Sequence, residues 1–185
     1  MCNVKQPLLL SLTLAAGVLA TADASAACQL QLSDAQIIYA PVTRGELLTR
    51  AGNHFSDSEL RVGEPRDLDI LMTCDRPARL TLQFIGPAKE SGSYRFGASG
   101  RATLLLHDLF IDDRQAKIGN AGKEENEMAF TPGAVLTFWQ DGRPATGRVM
   151  RAKVTIAAWM SADATNVNEQ ESWQLNGSFV SGDDS

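Results

Sequence analysis

The chain has 185 residues, 44% of them hydrophobic, and carries 22 acidic against 17 basic side chains for a net charge of −5. That length suits one domain with a hydrophobic core of its own. An acidic balance without basic runs gives no reason to expect nucleic acid or an anionic membrane as partner.

The first residues, Met1 to Lys5, are short and positively charged, and Leu8 to Ala20 form an uncharged run of 13 residues, mostly apolar. A bilayer-spanning helix needs about 20 apolar residues, so this run is too short to cross. Ala24-Ser25-Ala26 supplies an A-x-A cleavage site, and residues 1–26 read as a secretory signal peptide. Cys2 leaves with it. A lipid anchor on Cys28 is the rival reading, but Ser25 stands where an aliphatic residue is usual. Residues 27–185 then form a single exported domain, with nothing further that inserts in a membrane.

Two cysteines remain, and in an oxidising compartment a Cys28–Cys74 disulfide is the expected reading. It would close a loop of 46 positions, for a chain-entropy contribution of about 4 kcal/mol. The neighbours agree with the pairing. Cys28, Leu30 and Leu32 alternate on one face, as do Leu68, Ile70, Met72 and Cys74, so both cysteines point inward on strands able to lie side by side.

In chain order, 36–42 reads as a short strand ending at Pro41, and 43–63 as a polar connection with an edge strand near Leu60-Arg61-Val62. Residues 66–74 and 78–84 alternate as two strands of a hairpin, with Asp75-Arg76-Pro77 as the turn. A loop at 86–93 leads to a small strand and turn at 94–101, then a buried strand from Ala102 to Ile111 ended by Asp112-Asp113. A short helix also fits Asp112 to Lys117. Ile118 to Asn126 is glycine-containing and charged, a solvated loop. Val135 to Trp139 is a strand running into an Asp141-Gly142 turn, and Val149 to Met160 is an alternating strand. After a polar loop at 161–171, Trp173, Leu175, Gly177 and Phe179 share one face of a final strand, and 181–185 is a loose tail. The list predicts an all-β fold, an antiparallel β-sandwich with a closed barrel as the alternative.

No catalytic constellation, metal-ligand set or cofactor motif stands out, so no enzyme activity and no cofactor are expected. His54 falls in a loop and His107 in an apolar run, each without a nucleophile or metal-spaced partner. Asp108, Asp112 and Asp113 lack the spacing of a calcium loop. Asn176-Gly177-Ser178 matches the glycosylation pattern but lies within the expected final strand.

Four features together resemble the fimbrial (pilus) subunits of the bacterial chaperone–usher pathway: Cys28 soon after a signal peptide; Thr73-Cys74-Asp75 leading into a second strand; Phe96-Gly97-Ala98-Ser99-Gly100 with Leu104 to Asp108 following; and the closing stretch from Trp173 to Phe179. The resemblance implies an incomplete immunoglobulin-like sandwich whose open groove is filled first by a periplasmic chaperone and then by a neighbouring subunit, with an outer-membrane usher directing assembly at the cell surface. Main-chain hydrogen bonds would supply affinity and alternate side-chain pockets specificity. Trp173, Leu175 and Phe179 would contact the chaperone, and Gly177 would leave room for an incoming side chain. One or two residues before Cys28 give no donor extension, which implies a tip or adhesin-like member that meets a host or surface receptor. The alternative from the residues themselves is a self-contained periplasmic or secreted binding module of sandwich form. A small secreted enzyme or inhibitor would need a pocket converging on His54 or His107.

Overall fold

The computed structural model describes residues 26–34, 39, 43–120, 122–163 and 173–183. The expected signal segment, apart from Ala26, and most of the 36–42 strand and the 161–171 loop lie outside the described residues. The chain is an antiparallel all-β sandwich, so the barrel alternative is set aside.

One strand belongs to both sheets. β3 (Arg66–Ile85) is 20 residues long. Its first half pairs with β1 (Cys28–Leu32) and β13 (Thr146–Ser161), and its second half with β11 (Leu136–Gln140) and β14 (Ser178–Asp183). The first sheet continues from β13 through β6 (Gly100–Ile111) and β5 (Ser93–Phe96) to β4 (Ala88–Glu90), with β2 (Glu59–Arg61) on the far end of β13. β7 (Arg114–Gln115) and β10 (Met128–Ala129) also pair with β6. The second sheet runs from β11 to β8 (Lys117–Asn120) and β9 (Lys123–Glu125), with β12 (Arg143–Pro144) beside β11.

The expected hairpin at Asp75-Arg76-Pro77 is therefore a corner in a single strand. Gly147 stands opposite Ala78 and Val149 opposite Thr73, so β3 carries the extra residues of a bulge there. The chain does not reverse because Asp75 is tied down on both sides. Its N–H donates to the Ala27 carbonyl (3.1 Å), its carboxylate accepts from the Ala27 N–H (3.0 Å), and its carbonyl accepts from Arg148 Nη2 (2.7 Å). Pro77 has no N–H to lose, which suits a bulge. The buried face survives the corner: Leu68, Ile70, Met72 and Cys74 precede it, and Ala78, Leu80, Leu82 and Phe84 follow.

The Cys28–Cys74 disulfide is present, with the two cysteines directly opposite in the β1–β3 register. Around it lies the main core, which draws Met150 and Val154 from β13, Leu104 and Leu106 from β6, and Leu136 and Phe138 from β11. A smaller cluster of Leu47, Leu60, Phe96, Ala102 and Ala158 fills the end of the first sheet.

Five further expectations about elements need correction. Residues Arg44–Thr49, read as part of a polar connection, form helix α1. Its capping box pairs Thr43 with Glu46 and its Leu47 is buried in the smaller cluster. The Asp112–Lys117 helix is absent, because Asp112 (φ 48°) and Asp113 (φ 63°) both take the left-handed conformation of a tight hairpin turn. The loops at 86–93 and 118–126 hold the pairs β4–β5 and β8–β9, which are short, and β4 and β9 are fully exposed. The last strand begins at Ser178, so Ser181 to Asp183 belong to β14 and the tail reading fails for them.

Replacing Cys28 and Cys74 together by alanine is expected to lower the unfolding free energy by about 2–5 kcal/mol. Chemical denaturation of the two forms would read this, and equal midpoints would show that β1 holds its place without the bond. At α1, the Thr43 N–H (2.6 Å) and hydroxyl (2.9 Å) both donate to the Glu46 carboxylate and hold its pKa below the ordinary value. A depressed folded-state pKa gives a contribution that is complete above the ordinary carboxylate pKa and lost as pH falls through the lowered one. Hydrogen-exchange protection factors of the α1 amides should therefore drop over that acidic range while those of β13 hold.

Candidate functional site

β1 and β14 each pair with β3 and, among the described residues, with no other strand. They come close to one another, and a mainly apolar cleft of about 130 Å³, with Asp34 in its lining, opens between the end of β1 and the start of β14. Its floor is the inner face of the first sheet, from Leu68 on β3, Ile156 and Ala158 on β13, and Ala102 on β6. Leu32 closes it on the β1 side, and Leu175, Gly177 and Phe179 on the other. The alternation of the strands is what turns these side chains inward.

The structure brings three of the four expected contact residues to this cleft. Phe179 lies in β14, half-buried, with its ring 5.0 Å from that of Phe84 and 5.6 Å from that of Phe130. Leu175 and Gly177 fall in the segment that precedes the strand, where Leu175 forms an isolated bridge with Phe96. Trp173 packs 5.9 Å from the Phe96 ring and is not part of the cleft lining. A Cβ on Gly177 would meet Phe84 Cζ at 2.2 Å and the Ile85 carbonyl oxygen at 2.7 Å. The room at Gly177 is thus taken by the Phe84 ring, which also stands edge-on to Tyr94 at 4.8 Å. Tyr39, in a stretch read only as a short strand, also lines the cleft and packs edge-on to Phe96 at 6.1 Å. Burial pushes its hydroxyl pKa up, opposed by Arg66 and Arg61.

Elsewhere the polar residues singled out in the sequence hold structure together. Asp112 Oδ1 accepts from the N–H groups of Arg148 (3.0 Å) and Val149 (2.9 Å), fastening the β6–β7 turn to β13. Asp113 bonds Arg151. His107 Nε2 lies 2.9 Å from Thr155 Oγ1, whose hydroxyl donates to Asp67 Oδ1 at 2.6 Å. A hydroxyl committed to a carboxylate is not held as donor to the imidazole, the arrangement that nucleophilic catalysis requires. His54 is exposed, and its N–H closes a turn on Asp57 Oδ2 at 2.7 Å. Among the described residues no group of three or more His, Cys, Asp or Glu is placed to hold a metal ion. Asn176 lies outside any strand and is exposed, so the sequence argument against its glycosylation pattern loses its premise.

No protein-family model, no curated protein and no solved structure matches the chain.

The Phe84–Gly177 contact predicts a large response to a small change. Gly177→Ala should lower the melting temperature, because the new Cβ would overlap both the Phe84 ring and the Ile85 carbonyl and force them to shift, at a cost of about 1–3 kcal/mol. Gly92→Ala, where a Cβ meets nothing within 4 Å, serves as the control in the same thermal scan.

Proposed function

We propose that this chain is a fimbrial subunit of the chaperone–usher type, exported to the cell surface, whose cleft between β1 and β14 receives a strand from a partner. The observation that carries the reading is the pairing pattern: the first and last strands both rest on β3, and the cleft between them is mainly apolar. Strand addition uses such a place. The free main-chain groups of the two strands would hydrogen-bond the incoming backbone, and its alternate side chains would enter the cleft. The disulfide supports this role, since it ties β1 to β3 at Cys74 and keeps one wall in place as the cleft fills. Leu175 and Phe179 would form the opposite wall, with Trp173 supporting it through Phe96. A periplasmic pilus chaperone would be the first partner, and neighbouring fimbrial subunits and the usher the later ones.

A second reading, the self-contained secreted binding module, is favoured by one specific feature. Phe84 already fills the space beside Gly177, and Phe179 packs on both Phe84 and Phe130, so this part of the core closes without a partner.

The two readings differ in one experiment. The full chain is produced in the periplasm with and without a co-expressed pilus chaperone, and recovery and thermal unfolding are compared. A subunit awaiting a strand should be recovered chiefly as a one-to-one complex, and Leu175→Asp, which puts a carboxylate into the cleft, should abolish that complex. A cooperative, stable monomer that gains nothing from the chaperone would sink the fimbrial reading.

A further inference from the structure

The strand register places four large side chains on one row across the first sheet. Arg61 of β2 stands opposite Trp159 of β13, Trp159 opposite Arg101 of β6, and Arg101 opposite Arg95 of β5. Their sequence neighbours Leu60, Val62, Ala158, Met160, Ala102, Tyr94 and Phe96 are buried, so by strand alternation the four face outward. With adjacent strands about 4.8 Å apart, the row extends about 14 Å.

The row is built rather than incidental in its contacts. The Arg101 guanidinium lies over the Trp159 ring, 4.1 Å from its centroid, and its Nε donates to Glu59 Oε2 at 2.7 Å. Arg61 approaches the same ring at 5.9 Å. Stacking on an indole holds a guanidinium in place and so reduces the entropy lost when it binds. Glu59 is the one carboxylate ion-paired to this row among the described residues, and Arg61 and Arg95 have no ion pair there. Arg61 Nε is buried without a hydrogen-bond partner. Three guanidiniums against one carboxylate make a positive stripe on a chain whose net charge is −5.

We propose that this row binds an anionic polysaccharide, its guanidinium forks clamping sulfate or carboxylate groups on the sugar chain. The planar fork suits both oxyanions in bidentate fashion. The stripe is one row wide, with Glu59 beside it and Asp67 and Asp69 farther along the same face, so a nucleic-acid duplex laid across it would meet carboxylates. Single-stranded nucleic acid binds by stacking bases on open aromatic faces, and the one aromatic in the row is already covered by Arg101. An extended acidic peptide repeats its like-facing side chains about every 7 Å, out of step with the strand spacing.

The test titrates the full, oxidised chain with heparin, hyaluronan, neutral dextran, a single-stranded DNA oligonucleotide and polyglutamate, at several salt concentrations. Binding to heparin or hyaluronan with no binding to dextran is the expected result; heparin alone would identify sulfate as the group recognised. In Arg61→Gln/Arg95→Gln the slope of log affinity against log salt should fall by about two. Arg95→Gln alone, at an exposed position, should give about half that change if the double variant folds poorly. Lys117→Gln/Lys123→Gln removes the same charge from the second sheet and should leave binding unchanged. The inference is overturned if neither glycan binds, if the lysine pair weakens binding as much as the arginine pair, or if DNA or polyglutamate binds as tightly.

Discussion

A strand shared between two sheets constrains everything else in this molecule. β3 enters beside β1 and β13, turns a corner at Asp75-Arg76-Pro77, and leaves beside β11 and β14. Strands that change sheets through a bulge make the corners of sandwiches with crossed packing. The corner works here because its polar groups are satisfied locally, by Ala27 on β1 and Arg148 on β13. The disulfide sits immediately before it. Covalent attachment of β1 at Cys74 therefore braces the residue from which the strand begins to bend.

The two proposed surfaces are the two sides of the first sheet. On the inner side, Leu68, Ala102, Ile156 and Ala158 form the floor of the cleft. On the outer side, Arg61, Trp159, Arg101 and Arg95 form the basic row. Residues one position apart on β13, Ala158 and Trp159, thus serve opposite surfaces. Such a sheet can hold a protein strand within the fold and a glycan on its exterior without either competing for the same side chains.

Much of the fold was legible in the sequence wherever a long strand buries one face. Period-two alternation located β13 and the two halves of β3, though not their continuity, an apolar run located β6, and with Cys28 and Cys74 both inward the alternation also located the β1–β3 contact. The Asp141-Gly142 turn was read correctly from its chemistry. Asp112-Asp113 adopts the same left-handed pair of conformations without a glycine, and this is why it passed as a helix start. α1 left a usable signal in Thr43-x-x-Glu46, but only Leu47 of its six residues is buried, so no apolar stripe marked it. β4 and β9 are short, charged and fully exposed, the form that edge strands take to resist unwanted pairing. Their composition matches that of loops, and only their hydrogen bonds make them strands.

Of the candidate site, the sequence supplied the apolar alternation of Leu175, Gly177 and Phe179 but not the beginning of the strand, because Leu175 and Gly177 make their contacts from irregular backbone. The basic row was invisible, since Arg61, Arg95, Arg101 and Trp159 are scattered over a hundred residues and meet only through strand register. By itself, then, the amino-acid sequence determined which residues turn inward, because alternation is a local property of an extended backbone and each residue carries its own preference for water or core. Tertiary structure alone decided that Asp75 to Pro77 bend without reversing, that Phe84 occupies the space at Gly177, and that three arginines line up. Each of these depends on groups far away in the chain reaching hydrogen-bonding or contact distance, which no local preference encodes.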